Sequence, residues 1–128
     1  MELTTGLKGT ARTTVTDQNT AATMGSGDLQ VFATPSMVAL MEKAALTSIV
    51  PCLAEGEGSV GISLSVSHQS ATPLGLEVWA ESELLEVDGK KLTFKVTAFD
   101  SAGVIGTGEH QRFIIQNERF MQKASQKA

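Results

Sequence analysis

Residues 33–46, ATPSMVALMEKAAL, have the pattern of a buried helix, yet they contain a single carboxylate, Glu42. Carboxylates are almost never fully buried unless they have a partner. Because a helix turns about 100° per residue, Glu42 falls inside the apolar stripe of this segment, whereas Lys43 falls on its far side. The sequence therefore predicts that Glu42 avoids a fully solvated face and meets another polar group.

Two further side chains, Thr34 and His68, have types and positions that suit acid–base chemistry with Glu42. Thr34 lies two turns before Glu42, at the entry of the helix. In SVGISLSVSHQ, residues 59–69, alternation predicts that one face carries Val60, Ile62, Leu64, Val66 and His68. An acid, an imidazole and a hydroxyl that converge at one helix–sheet seam could activate a water molecule or a nucleophile.

A purely structural interpretation of the same residues stays open. Glu42 could bind His68 or a backbone N–H as a satisfied core pair and do nothing else. Thr34 precedes Pro35, and a Thr before a Pro at the first helical position is typical of a helix cap. The residues alone do not separate a catalytic set from a buried pair and a cap.

The composition describes one globular domain, residues 1–128, and excludes several classes of function. Hydrophobic residues make up 41% and charged residues 19%, and the net charge is −4 without a basic run, so we expect no nucleic-acid binding. No apolar run is long enough to span a membrane, and the N-terminus lacks the apolar segment of a signal peptide. We therefore expect a cytoplasmic protein that does not bind membranes.

Histidine and cysteine are too scarce for a structural zinc site. The chain has two histidines and one cysteine, fewer than the usual ligands of a structural zinc site. The single cysteine, Cys52, has no intramolecular disulfide partner and is expected to be a small core residue.

The remaining segments predict a helix and five strands. Residues 7–17 could form an opening strand, residues 34–53 form the one long helix, and period-two patterns predict four later strands. The tail, residues 117–128, is expected to fray. The order β–α–β–β–β–β predicts an α+β domain with the hotdog fold, in which a curved antiparallel sheet wraps one long central helix.

Three other signals have structural interpretations. GEGSVG, residues 56–61, matches G-x-G-x-x-G, but it follows a helix and opens a strand, the reverse of a dinucleotide-binding turn. His110 shares strand parity with Arg112; it could line a pocket, but a partly exposed position at a dimer edge is favoured. Trp79 is expected in core or interface packing.

Three segments together resemble the fluoroacetyl-CoA thioesterase-like hotdog proteins. They are GSGDLQVFATPSMVALMEKAA, AEGEGSVGISLSVSHQSATPLG and VTAFDSAGVIGTGEHQRFII. Within them a Thr, a Glu eight positions later and a His in S-H-x-x-A-T-P recur in the family's order, and the resemblance covers roughly residues 10–120. We identify no counterpart of the namesake's aromatic lid, so the resemblance implies the reaction and not the acyl group.

The resemblance implies an acyl-CoA thioesterase that hydrolyses a small acyl-CoA thioester to free acid and CoA. Its catalytic residues would be Thr34, Glu42 and His68, with Glu42 as base or direct nucleophile, and its substrate-binding residues would be Gly61 and Arg112. It also implies a homodimer with CoA along the interface, no metal, and no cofactor apart from the CoA of the substrate.

Two other functions are alternatives to hydrolysis. The first is a non-catalytic hotdog protein that binds an acyl-CoA or another small apolar ligand, with Glu42 and His68 as a structural pair. The second is a hydratase of the same fold, which is disfavoured because the sequence lacks the Asp-x-x-x-x-His arrangement that those enzymes resemble. Hydrogen-bond reach between Glu42 and His68, beside an open pocket, would favour the thioesterase.

Overall fold

The computed structural model describes residues 2–128. In this part of the chain the strands are Lys8–Thr14 (β1), Glu57–His68 (β2), Glu77–Asp88 (β3), Lys91–Asp100 (β4) and Gly103–Gln116 (β5), and the helices are Ala21–Met24 (α1), Thr34–Ile49 (α2) and Asn117–Ser125 (α3). None of these helices is long and apolar enough to cross a membrane. The predicted order of one strand, one long helix and four strands is confirmed, with two short helices added.

The strands form one antiparallel sheet with the order β1-β3-β4-β5-β2. Consecutive hairpins build its centre, so β1 and β2 are its edges. Helix α2 lies across one face, mainly against β1 and β3, and also contacts β4 and β2. This arrangement confirms the α+β class and the single helix packed in the sheet.

The core lies between α2 and the face of the sheet that it covers. The buried side chains of α2 recur at helical spacing: Met37, Leu40, Met41, Ala44, Ala45 and Ile49. They meet the inward side chains of β3 and β4, which include Leu84, Phe94 and Val96. Burying one such side chain contributes about 1.5–3 kcal/mol, so this stripe fixes the rotation of α2 and therefore the direction in which Glu42 points.

A β-bulge in β2 reverses part of the predicted alternation. The pairing of β2 with β5 shifts register between Gly61 and Ser63. After the bulge the side chains predicted to face inward do so: Leu64, Val66 and His68. Before it, Ser59 and Gly61 face inward, and Ile62 is 50% exposed. The inward positions predicted for Val60 and Ile62 are therefore wrong, because one extra residue in a strand reverses which of the preceding side chains face inward.

Both ends of α2 differ from the prediction. Ala33 is the N-cap, so Thr34 is the first helical residue and its hydroxyl does not cap the helix. Pro35 is consequently second and not first. The helix ends at Ile49, and Val50–Cys52 form a 3-10 turn, because Pro51 cannot donate a backbone N–H to continue the α-helix.

The tail is helical where fraying was predicted. Helix α3 follows β5 directly, and the Asn117 N–H donates to the Gly56 carbonyl at 2.9 Å. Glu118 lies in its first turn and Lys123 in its last, which complements the helix dipole.

Cys52 is half-buried and not in the core, with Sγ 3.7 Å from the Glu2 carbonyl oxygen. Trp79 packs in a stack with Phe99, with ring centroids 5.7 Å apart.

Candidate active site

Thr34 and His68 are hydrogen-bonded at one end of β2. Thr34 opens α2, and His68 closes β2, where it lies opposite Gly106 of β5. The Thr34 Oγ1 and His68 Nδ1 atoms are 2.7 Å apart. The hydroxyl and the imidazole therefore meet where the start of α2 packs beside the end of β2, at a helix–sheet contact as the sequence predicted.

A glycine allows α2 to approach the sheet this closely. A Cβ at Gly106 would lie 2.6 Å from the Met37 Sδ and 2.8 Å from the Ser67 carbonyl oxygen. Both distances are far below ordinary van der Waals contact. The absence of a side chain at Gly106 therefore lets the first turn of α2 lie beside the end of β2.

A buried carboxylate fixes the loops on either side of this pair. Asp100 accepts hydrogen bonds from the Thr72 hydroxyl at 2.7 Å and from the Ala102 N–H at 2.8 Å. The Thr72 carbonyl in turn accepts the Phe32 N–H at 2.8 Å. Because Thr72 lies just after His68 in the chain and Phe32 just before Thr34, this network ties together the segments that carry both site residues.

The environment of His68 favours a neutral ring. Burial lowers the pKa of His68 below its usual 6.5, and the Ser70 backbone raises it by less. Within residues 2–128, the buried Nε2 has no hydrogen-bond partner. A buried N–H without a partner is costly, so we assign the proton to Nδ1, which donates to Thr34 Oγ1. The hydroxyl proton of Thr34 is then free to donate to a ligand.

An open cleft of about 230 Å³ lies beside the pair. Thr34, His68 and the residues that follow His68 form one wall, and Val31 and Phe32 form another. A larger groove of about 510 Å³ lies over β1, β3 and β4, but none of the predicted site residues lines it. The smaller cleft is therefore the candidate substrate pocket.

Glu42 lies against Gly61 and Arg112. Its side chain is 41% exposed, and its Oε2 is 4.0 Å from the Arg112 Nη1. The prediction that Glu42 avoids a fully solvated face and meets a polar group is confirmed, although that group is Arg112. A Cβ at Gly61 would lie 2.7 Å from Glu42 Oε2 and 3.6 Å from Arg112 Nη1, so only glycine leaves room for this contact.

Arg112 is a buried cation held on several sides. It is 6% exposed and lies opposite Gly61 in the β2–β5 register. Its Nε donates to Ser59 Oγ at 2.8 Å, its Nη2 donates to the Ser59 carbonyl at 3.0 Å, and its Nη1 is 3.2 Å from His110 Nε2. Burial lowers the pKa of Arg112, and the Glu42 carboxylate opposes this.

Within one chain, Glu42 does not reach the Thr34–His68 pair. About 12 Å of helix separates Thr34 from Glu42, and about 20 Å of strand separates Gly61 from His68. The contact expected between Glu42 and His68 is therefore not made within a single chain. We call Thr34 and His68 the hydroxyl half of the site, and Glu42, Gly61 and Arg112 the carboxylate half.

Two polar residues that contact Arg112 of the carboxylate half were not identified from the sequence. His110 was expected at a partly exposed position, but it is 1% exposed. His110 alternates along β5 with Arg112 and the buried Ile114, and this shared face was the signal that could have predicted an inward position for His110. Ser59 had no such signal, because simple alternation put it on the outer face and the bulge reversed that assignment.

Comparison with known sequences identifies the family. The fluoroacetyl-CoA-specific thioesterase family matches residues 15–118. A fluoroacetyl-CoA thioesterase from Streptantibioticus cattleyicolor is 45% identical over 98 residues, which cover 77% of this chain and 70% of that protein.

Solved structures agree with the sequence comparison. The fluoroacetyl-CoA thioesterase FlK superposes with a TM-score of 0.94 at 36% identity, over 100% of this chain and 99% of its own. A thioesterase superfamily member from Thermus thermophilus superposes with a TM-score of 0.87 at 26% identity, over 97% of this chain and 94% of its own. The hotdog fold predicted from the sequence is therefore confirmed, and the chain belongs to the fluoroacetyl-CoA-specific thioesterase family of thioester hydrolases.

Proposed function

We propose that this protein hydrolyses a small acyl-CoA thioester to free acid and CoA at a site that two subunits build together. The hydroxyl half would come from one subunit and the carboxylate half from the other. The observation that carries the proposal is the 2.7 Å contact between Thr34 and His68 beside an open cleft.

The edge strand β2 supports pairing with a second copy of the chain. It is 12 residues long, and in residues 2–128 its only neighbour is β5. It contains no Lys or Pro, which commonly protect a free edge. A long edge without Lys or Pro is a template for another strand, which favours a homodimer in which two β2 strands pair.

An antiparallel pairing about a two-fold axis at Ser65 would bring the two halves together. Because the bulge absorbs one residue, Gly61 and His68 lie equally far from Ser65 along the ladder with β5. In a symmetric pair, Gly61 of one subunit would therefore face His68 of the partner subunit. Each dimer would contain two identical sites, with CoA along the interface.

The two halves supply complementary chemistry. The Glu42 carboxylate takes a proton from a water molecule as the water oxygen bonds to the thioester carbonyl carbon, or it attacks that carbon directly. Thr34, oriented by His68, donates a hydrogen bond to the carbonyl oxygen as negative charge develops there. In the first route the carbon–sulfur bond then breaks, and the CoA sulfur takes up the proton that Glu42 had accepted. In the second route the attack expels the CoA thiolate and leaves an acyl–Glu42 anhydride, which water hydrolyses to the free acid and the Glu42 carboxylate, and a proton from that water goes to the CoA sulfur. Gly61 and Arg112 contact the acyl group.

The relatives and the cleft support a short acyl-CoA as the substrate. Solved structures of FlK include a complex with fluoroacetate and CoA and a complex with acetyl-CoA. In this chain the cleft beside Thr34 has a volume of about 230 Å³, below the range usual for larger ligands. The mechanism needs no metal and no cofactor apart from the CoA of the substrate.

Thiol release from a panel of short and medium acyl-CoAs tests the reaction. We expect hydrolysis of at least one ester. Glu42→Gln should lower kcat/KM by about a hundredfold or more, the scale for losing a general base. Thr34→Ala should lower it strongly, and Thr34→Ser, which keeps the hydroxyl, should retain most of it. Glu81→Gln, on an exposed position of β3, is the matched control and should be unchanged.

Mixing two inactive variants tests the shared site. A dimer of one Glu42→Gln subunit and one Thr34→Ala subunit contains one intact hydroxyl half that faces one intact carboxylate half. Random assembly from equal amounts, achieved by refolding together, should therefore restore about a quarter of the natural activity.

Each contrary result has a distinct meaning. If the mixture stays inactive although each variant is folded and dimeric, the two halves do not combine across the interface. If esters are hydrolysed equally well by Glu42→Gln, Glu42 is not the base. If acyl-CoAs bind in a thermal-shift assay but no ester of the panel is cleaved, the protein is an acyl-CoA-binding hotdog protein.

A further inference from the structure

A buried imidazole on β5 contacts the carboxylate half of the site. His110 is 1% exposed, and its ring stacks on Phe94, with centroids 6.1 Å apart and planes 28° apart. Neither ring nitrogen lacks a partner: Nδ1 is 2.9 Å from the Ser63 carbonyl oxygen, and Nε2 is 3.2 Å from Arg112 Nη1. A side chain that only fills space does not need two such contacts.

The two partners fix the tautomer of His110. A carbonyl oxygen only accepts hydrogen bonds, so Nδ1 must carry the proton and donate it to Ser63. A guanidinium only donates, so Nε2 must be unprotonated and accept from Arg112. The ring is therefore neutral, with its lone pair directed at the guanidinium.

The surrounding groups favour this neutral form. Burial lowers the pKa of His110 most, the Ser63 carbonyl raises it, the Arg112 charge lowers it, and the Glu42 charge raises it. Arg112 on β5 and Glu42 on α2 are the charged groups that face the ring; Phe94 on β4 and Ser63 on β2 are uncharged.

His110 holds the side of the guanidinium that Ser59 does not reach. Ser59 accepts from Nε and Nη2 of Arg112, whereas His110 accepts from Nη1, the nitrogen nearest to Glu42. Three fixed N–H groups define the plane of a guanidinium. Without His110, the buried Nη1 of Arg112 would lose its only neutral acceptor among residues 2–128, and its contact with Glu42 would no longer be held in one orientation.

We propose that His110 is a positioning residue which, as a neutral hydrogen-bond acceptor, fixes the Arg112 guanidinium against Glu42 and Gly61 and so presents the carboxylate half to the substrate. This role in hydrolysis depends on the thioesterase function proposed above. His110 itself does not touch the substrate.

Two substitutions of opposite character test the role of His110. Gln at this position can donate and accept, whereas Phe fills the space and can stack on Phe94 but cannot accept a hydrogen bond. We expect His110→Gln to keep kcat/KM within about threefold of the natural protein and His110→Phe to lower it by about tenfold or more. A role in packing alone predicts the reverse order, because Phe suits an apolar site better than Gln.

A double-mutant cycle tests whether His110 acts through Arg112. In an Arg112→Met background, His110→Phe should have little further effect on kcat/KM, because the guanidinium that His110 orients is gone. Urea unfolding of every variant separates lost activity from lost folding. Additive effects of the two substitutions would overturn the proposal.

An NMR measurement tests the tautomer without reference to catalysis. In protein labelled with ¹⁵N at histidine, His110 should show a protonated Nδ1 and an unprotonated Nε2 at neutral pH. A protonated Nε2 would overturn the inference whether or not the protein hydrolyses a thioester. Conversely, an inactive natural protein with the expected tautomer and a normal fold would contradict the proposed function and leave the Arg112 contact in place.

Discussion

Both histidines of the chain form a hydrogen bond with a side chain of the proposed site, and each ring is assigned as neutral. His68 orients the Thr34 hydroxyl, and His110 accepts a hydrogen bond from Arg112. The pKa of each is lowered mainly by burial. The two rings therefore serve as neutral, fixed hydrogen-bonding groups on opposite halves of the site.

This arrangement predicts how stability depends on pH. Because the folded-state pKa values of His68 and His110 lie below the usual 6.5, the unfolded chain binds more protons than the folded chain as the pH falls past that value. The stabilisation is fully present above 6.5 and is lost as the pH falls through the folded pKa values. We expect the free energy of unfolding to fall by at most about 1.4 kcal/mol per pH unit for each histidine below about pH 6.5.

Urea unfolding at a series of pH values measures this dependence. His110→Gln removes one titrating group, so its stability should fall less steeply between about pH 6.5 and pH 5 than that of the natural protein. A natural protein whose stability stays constant or rises over that range would contradict the neutral assignment of both rings.

At the level of elements, the pocket depends on the connection between the segments before α2 and after β2. The Asp100–Thr72 hydrogen bond is buried, and the Thr72 carbonyl holds Phe32 beside Thr34. Thr72 is 0% exposed, so removing its hydroxyl leaves an Asp100 oxygen without its side-chain partner in a buried site.

Thr72→Val should therefore destabilise the fold by about 1–3 kcal/mol, the usual cost of leaving a buried polar group unsatisfied. It should also lower kcat/KM, because the segment that carries Thr34 loses its connection to Asp100. Urea unfolding and thiol release measure the two effects. Thr10→Val, on an exposed position of β1, is the control and should change stability by less than about 0.5 kcal/mol. Equal stability of the two variants would show that the Asp100 contact does not stabilise the loop.

The bulge in β2 is a second feature of the elements that matters for the site. It turns Ser59 and Gly61 inward, opposite Ile114 and Arg112 of β5. Without the extra residue, uninterrupted pairing would place Ile62 opposite Arg112 in place of Gly61, and Val60 opposite Ile114 in place of Ser59. An apolar side chain there would leave a buried cation without its Ser59 partner.

At the level of the whole molecule, the proposed site shared between two subunits would make catalysis depend on assembly. Each chain carries both halves, with the hydroxyl half at the end of β2 and the carboxylate half beside Gly61, seven residues earlier in the strand. The proposed β2–β2 pairing would complete two sites at once, whereas a lone chain would have none.

Activity per chain should therefore fall on dilution. We expect half of the activity per chain to be lost at the protein concentration where half of the chains are monomeric, because a monomer lacks a complete site. Sedimentation velocity measures the fraction of dimer, and thiol release on the same samples measures activity. Full activity in samples that sediment as monomers would contradict a site shared between subunits.

Several features follow from the sequence because they depend on local patterns. The apolar positions of residues 34–49 predict the long helix, period-two alternation predicts the strands, and both yield the α+β hotdog order that the structure has. The resemblance to the family predicts Thr34, Glu42 and His68 as the catalytic residues. Of these three residues, Thr34 and His68 contact each other within one chain, because the start of α2 lies beside the end of β2.

Tertiary structure decided which side chains face one another at the site, because such contacts depend on where elements meet and not on the pattern within each element. A single-residue bulge changed which side chains of β2 face inward, and no periodic pattern encodes such an insertion. Glu42 faces Arg112 because packing of the apolar stripe of α2 sets its rotation, and His110 is buried because β2, β4 and α2 enclose it. The sequence by itself determined the fold and the residue types of the site, whereas three-dimensional packing divided that site into two halves.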